Sequence, residues 1–177
     1  MTPEEGSVSS TKTKLLATMM FVLATISLFA DPVLPFPNEP EDFRGIKWGA
    51  SINEIPDMVL VEDAGDLKFY ERKNENRKIG SAIVDTVSYG FYKNRFFWVQ
   101  VLFNGGLNFP GLKQNLTQLH GKGTRLNQRE EEYFWFGDSV TLYLVYRADR
   151  KKGEFWFAYE PIRKEKEGEQ EIKKGAK

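Results

Sequence analysis

Short stretches that alternate between apolar and polar residues, divided by brief turn signals, fill most of residues 67–159, and this alternation constrains the fold more than any other feature of the chain. A period of two places successive side chains on opposite faces of a strand. The reading gives strands over residues 67–72, 82–92, 96–103, 133–136, 139–146 and 154–159. Lys93-Asn94 and Gly137-Asp138 make tight turns between neighbours, asparagine tolerating positive φ, and residues 148–152 form a longer loop. No crossover helix joins successive strands within either group, so the sheet is expected to be antiparallel.

Helical signals fall at two places. Ser51-Ile52-Asn53-Glu54 is a capping box, with Pro56 too deep for a first-turn proline and placed to truncate or kink the helix. A second helix starts near Phe109, with Asn108 as cap and Pro110 early enough to be tolerated. Phe109, Leu112, Leu116 and Leu119 form its apolar stripe, and Gly121 closes it. The order is helix, strands, helix, strands, and the two halves echo each other. The expected class is α+β: an antiparallel sheet with two helices on one face, in tandem helix-then-hairpins halves.

The ends differ from this patterned region. Lys12 and Lys14 precede an apolar run over residues 15–29, followed by Ala30, Asp31 and Pro32. A basic patch, an apolar core and a small residue are the order of a secretory signal. Residues 1–30 are therefore read as a signal peptide, with an uncleaved membrane anchor as the alternative. Residues 31–42, with four prolines, read as an extended spacer. Residues 43–162 form a single α+β domain, and residues 163–177, almost without apolar content, a charged disordered tail. Export places the protein in a bacterial periplasm or outside the cell. The absence of cysteine excludes a disulfide-stapled secreted module.

Charge adds a second exclusion. Twenty-five basic residues balance twenty-five acidic ones, and removing residues 1–30 takes away Lys12, Lys14, Glu4 and Glu5, which leaves the balance at zero. A protein that grips phosphates carries a basic excess or stripe, so nucleic acid is not an expected partner.

The opening Phe43-Arg44-Gly45-Ile46-Lys47-Trp48-Gly49, followed by a capped helix and by hairpins with the strand motif Tyr89-Gly90-Phe91, resembles a group of uncharacterised bacterial exported proteins. The helix-plus-sheet duplication over roughly residues 43–160 is similar to the β-lactamase-inhibitor-protein-like repeats and to the small outer-membrane assembly lipoproteins. The chain departs from the lipoproteins in lacking the cysteine that would carry lipid, and from the inhibitor in lacking disulfides. No functional residue is carried over from either.

Catalytic chemistry has few candidates. The single histidine, His120, falls in the last turn of the second helix, where the helix dipole favours an imidazolium, and it reads as a capping residue. One histidine and no cysteine leave no recognisable zinc or iron set, and no cofactor is expected. Gly121-Lys122-Gly123-Thr124 follows a helix and leads to a strand, the reverse of a phosphate loop. Glu130, Glu131 and Glu132 alternate faces and cannot meet one substrate. Asp85 shares parity with Ile83, Val87 and Tyr89, which sets a carboxylate on an apolar face. There it is a strand-end residue, pairs with an arginine, or serves a carboxylate-dependent hydrolase.

Aromatics, at 14% of the chain, are the informative excess. In the strand over residues 96–103, Phe97, Val99, Val101 and Phe103 form the face expected to meet the helices, with Phe96, Trp98, Gln100 and Leu102 opposite. The same logic sets Tyr143 opposite Leu142 and Leu144, and Trp156 opposite Phe155 and Phe157. Trp98, Tyr143, Trp156 and Phe96 are therefore the candidate binding residues on the outer face. The first reading is an exported, non-enzymatic binding module whose partner is a protein or envelope component. A membrane-anchored envelope component and the Asp85 hydrolase are the alternatives.

Overall fold

The computed structural model describes residues 36–175. The chain opens with a small hairpin, β1 (Asp42–Phe43) and β2 (Ile46–Lys47), and a single 3₁₀ turn, Ile52–Glu54. Seven strands build the main sheet: β3 (Met58–Ala64), β4 (Leu67–Arg72), β7 (Thr86–Tyr92), β8 (Arg95–Asn104), β9 (Glu131–Phe136), β10 (Val140–Arg147) and β11 (Lys152–Tyr159). Between β4 and β7 lies a second small hairpin, β5 (Lys78–Ile79) and β6 (Ala82–Ile83). Helix α1 (Asn108–His120) links β8 to β9, and helix α2 (Glu160–Gly175) follows β11. The strand order is β3-β4-β7-β8-β11-β10-β9, with every neighbouring pair antiparallel. The class is therefore α+β on an antiparallel sheet. Among the described residues no helix is long and apolar enough to cross a membrane.

The inner face of the sheet carries the core. Tyr89, Val99, Val101, Phe103, Leu142, Leu144, Phe155 and Phe157 are buried there against Phe109, Leu112 and Leu116 of α1. The helix stripe continues to His120 rather than Leu119, which is 54% exposed. Gly121 ends α1 with φ at 80° and its N–H bonded to the Thr117 carbonyl, the left-handed stop that glycine makes without a Cβ clash. The 3₁₀ turn lies on this inner side, where Ile52 and Ile55 pack on the core.

Three expectations are corrected here. The first helix is only that 3₁₀ turn: the Ser51 side chain accepts from the Asn53 N–H, and Pro56 has no N–H with which to extend the turn. The proline-rich stretch is no free spacer from residue 36 onward. Phe36 is buried, Pro40 offers its carbonyl to Trp48 Nε1 at 2.8 Å, and the Glu39 carboxylate accepts the backbone N–H groups of Asp138, Ser139 and Val140 at the β9–β10 turn. Prolines cannot donate to a ladder, but carbonyls and side chains between them can still anchor. Residues 163–175 are helical. Ile162 alone sinks into a small outer-face cluster with Tyr92 and Phe97. The remainder of α2 is tied by charge: Arg163 bridges Glu160 and Glu167 along the helix, Arg95 holds Glu165, and Lys93 with Tyr92 Oη holds Glu169. Intrahelical pairs at these spacings stabilise a helix that has no apolar stripe. The segment over residues 15–29, read as an export signal, lies outside the described residues.

Candidate functional site

The outer face is assembled by strand register. One cross-strand row runs Phe69, Gly90, Trp98, Ala158, Thr141, Phe136 from β4 to β9. A second runs Gln100, Trp156, Tyr143, Phe134. Three of the four residues selected from sequence, Trp98, Tyr143 and Trp156, meet here. Trp98 stacks on Trp156 at 4.7 Å and 22°. Trp156 meets Tyr143 at 5.0 Å and 33°, and Tyr143 meets Phe134 at 4.8 Å. Phe134 and Phe136 are parallel within 2° at 5.6 Å. The result is a continuous aromatic ladder across four strands.

Phe96 does not belong to it. It is fully buried in the inner core, stacked on Trp48 at 4.9 Å. The cause is a β-bulge: Gly90 pairs with Trp98 but Phe91 pairs with Phe96, so Phe97 is the extra residue. One added residue flips the parity on either side of it. Phe97 therefore joins the outer-face cluster with Ile162 instead of the inner core where alternation placed it. Gly90 makes the bulge possible, because a Cβ there would come within 2.8 Å of the Trp98 Cβ.

Asp85 is corrected for a related reason. The strand expected over residues 82–92 breaks between β6 and β7. Ala82 and Val84 are buried, then Val87 and Tyr89, while Ile83 is 57% exposed and Asp85 is exposed. The carboxylate thus sits in solvent, not on an apolar face, which removes the feature that singled it out for catalysis.

The ladder divides the outer face into two hollows. The larger, about 820 Å³, lies between Trp98, Trp156, Phe136 and the first two turns of α2. The smaller, about 520 Å³, is lined by Tyr143, Leu102, Asp85, Arg147 and Lys152. Burial, then the hydrogen bond to Glu132 at 2.5 Å, raises the Tyr143 phenol well above its ordinary range, so the hydroxyl stays protonated and donating. At the mouth of the larger hollow, burial alone would raise the Glu160 carboxyl, but the bonds from Arg163 and Thr141 outweigh it and hold it below the usual range.

His120 is 8% exposed beneath the inner face. Its ring lies edge-on between Phe36 and Phe157, and Nδ1 donates to the Asn38 carbonyl at 2.8 Å. Burial lowers its pKa, with the Asn38 bond acting in the opposite direction. The expected imidazolium cap is therefore replaced by a ring whose charged form the core disfavours.

Sequence reasoning missed Phe134, Phe136 and Phe69 as ladder neighbours. Phe134 and Phe136 alternate with buried Tyr133 and Trp135, and that parity was the signal that could have placed them. No protein-family model, no curated protein and no solved structure matches the chain.

Proposed function

We propose that the protein is an exported, non-enzymatic binding module that engages a component of the cell envelope through the outer face of its sheet. The observation that carries this reading is the aromatic ladder beside a hollow of about 820 Å³. Trp98, Trp156 and Phe134 are only partly buried and Phe136 is exposed, although all four are large and apolar. Apolar rings concentrated on one face and bordered by charged residues have the composition of a recognition site. The order of basic patch, apolar run and small residue at the N-terminus supports the exported location.

Two experiments test the reading. Residues 1–35 fused to a reporter active only outside the cytoplasm should give activity; a stable but silent fusion overturns export. The immobilised domain should retain an envelope component that Trp98→Ala and Phe136→Ala fail to retain, each losing more than about 1 kcal/mol of binding. Leu107→Ala, at a position 96% exposed and outside the ladder, serves as control. Equal retention by all variants overturns the assignment of the face.

A further inference from the structure

The two edges of the main sheet are finished differently. At β9 the edge is occupied: Thr124 exchanges two backbone hydrogen bonds with Phe134, at 2.7 and 2.9 Å, and Arg125 reaches the Glu130 carbonyl just before the strand. At β3 no such cover exists among the described residues. The strand pairs with β4 on one side only, and its other side meets no backbone partner along Met58–Ala64. A row of N–H donors and C=O acceptors is left facing outward.

The side chains of this edge are apolar where an open edge is ordinarily guarded by lysine, by proline or by a very short strand. Val59, Leu60 and Val61 are 42%, 46% and 52% exposed. The strand is seven residues long and contains neither lysine nor proline. Its defences are a bulge at Val61, between Leu60 and Glu62, and the acidic residues that follow. The bulge bends the ladder without covering it.

The chemistry of the edge selects its occupant. Main-chain donors and acceptors in strand spacing are matched by an extended polypeptide backbone. Leu60 lies on the inner side with its partner Tyr70, and Val59 on the outer side, because neighbouring strand residues face opposite ways. An incoming strand therefore meets apolar surface on both of its faces, which calls for a continuous apolar run and not an alternating one. Charge sets the flanks. Asp57 and Glu62 are exposed with no cation at ion-pair distance among the described residues, whereas Asp63 is already held by Lys68. A second copy of β3 would bring further carboxylates to this edge, and like charges across a strand pair destabilise it; a basic segment is complementary.

We propose that β3 is a docking edge for an extended segment of another polypeptide, added antiparallel as an eighth strand, with about three consecutive apolar residues flanked by lysine or arginine. The edge does not use the aromatic rings of the outer face, and the proposal does not depend on them.

The probe is a capped, fluorophore-labelled hexapeptide, Lys-Val-Ile-Val-Thr-Lys, titrated with the full chain and read by anisotropy, with hydrogen exchange mapping the amides it protects. It should bind one-to-one and protect amides of β3. N-methylation removes backbone donors and keeps the side chains. Only one side of an added strand faces β3, so methylating one alternate set of amides should lower affinity at least about tenfold, and methylating the other set should change it less than about twofold. Replacing both peptide lysines by glutamate should weaken binding at least about tenfold. Val61→Lys should do the same with the melting temperature unchanged, and Trp98→Ala should leave binding as it is. Absence of binding, equal effects of the two methylation patterns, or binding indifferent to Val61→Lys overturns the proposal. Loss of binding in Trp98→Ala but not in Val61→Lys would seat the peptide on the aromatic face and overturns it too. A dimer in sedimentation that Val61→Lys dissolves would make the occupant a second copy and overturns the foreign segment.

Discussion

Replacing Trp98 and Trp156 by alanine, singly and together, measures whether the ladder is one physical unit. Burying and then truncating a tryptophan in a core costs about 3–5 kcal/mol. Both rings here are only partly buried, so part of that range applies. Trp156 loses two ring neighbours and Trp98 one close stack, and each aromatic pair contributes about 0.5–1.5 kcal/mol beyond its buried area. The expected losses are about 3 kcal/mol for Trp156→Ala and about 2 kcal/mol for Trp98→Ala. The double variant should lose about 4 kcal/mol, less than the two together, because the stack at 4.7 Å is removed once and not twice. Urea unfolding followed by far-ultraviolet circular dichroism gives each value, provided the denaturant slope stays the same across the four proteins. A coupling within about 0.3 kcal/mol of zero, as for independent sites, would refute the stacked ladder. So would a smaller loss for Trp156 than for Trp98.

Other positions give independent checks. Leu116→Ala, in the buried stripe of α1, should cost about 2–5 kcal/mol; a loss below about 0.5 kcal/mol in the same unfolding assay would mean the helix is not docked on the sheet. Glu39→Gln should cost about 1.5–3 kcal/mol, because a carboxylate that receives three backbone N–H groups is replaced by an amide that accepts with one atom only; unchanged stability would refute the clasp. The folded-state pKa of His120 lies below the ordinary 6.5, so the unfolded chain takes up this proton first. Its contribution is complete above about pH 7 and is lost as pH falls below 6.5 and through the folded value. Unfolding free energies measured from pH 7.5 to pH 5 should decline for the natural chain and decline less for His120→Gln, and parallel profiles would refute the buried neutral ring.

How much of this was legible in the sequence depended on whether a structural event leaves a trace in hydropathy. The strands did, because a half-buried strand must alternate, and that alone put Tyr143 and Trp156 on the outer face. The bulge at Phe97 left none: Phe96, Phe97 and Trp98 are all apolar, so a slip of parity among them does not disturb the pattern, and Phe96 went to the core unannounced. The break between Ile83 and Thr86 is hidden in the same way, since Ala82 and Val84 are as apolar as the residues they displace. Helix α2 was invisible for the opposite reason. It is stabilised by charges that meet Arg95, Lys93 and each other, and hydropathy reads such a segment as solvent-loving. The seat of Phe36 to Asp42 depends on carbonyls and on the Glu39 carboxylate, whose distant partners no local pattern specifies. The hollow required all of these at once: the ladder could be anticipated, its α2 wall could not.

The strand order has a consequence for the timing of assembly. Strand β11, the last strand in chain order among the described residues, lies in the interior of the sheet between β8 and β10. Before it arrives, a four-stranded meander made of β3, β4, β7 and β8 and a separate hairpin made of β9 and β10 share no ladder, and both carry an open edge where β11 will go. Contacts between segments this far apart in sequence form late and slowly. For a polypeptide threaded through a narrow channel from its N-terminal end, the keystone emerges after every strand it must join, so the sheet locks only once β11 itself has passed.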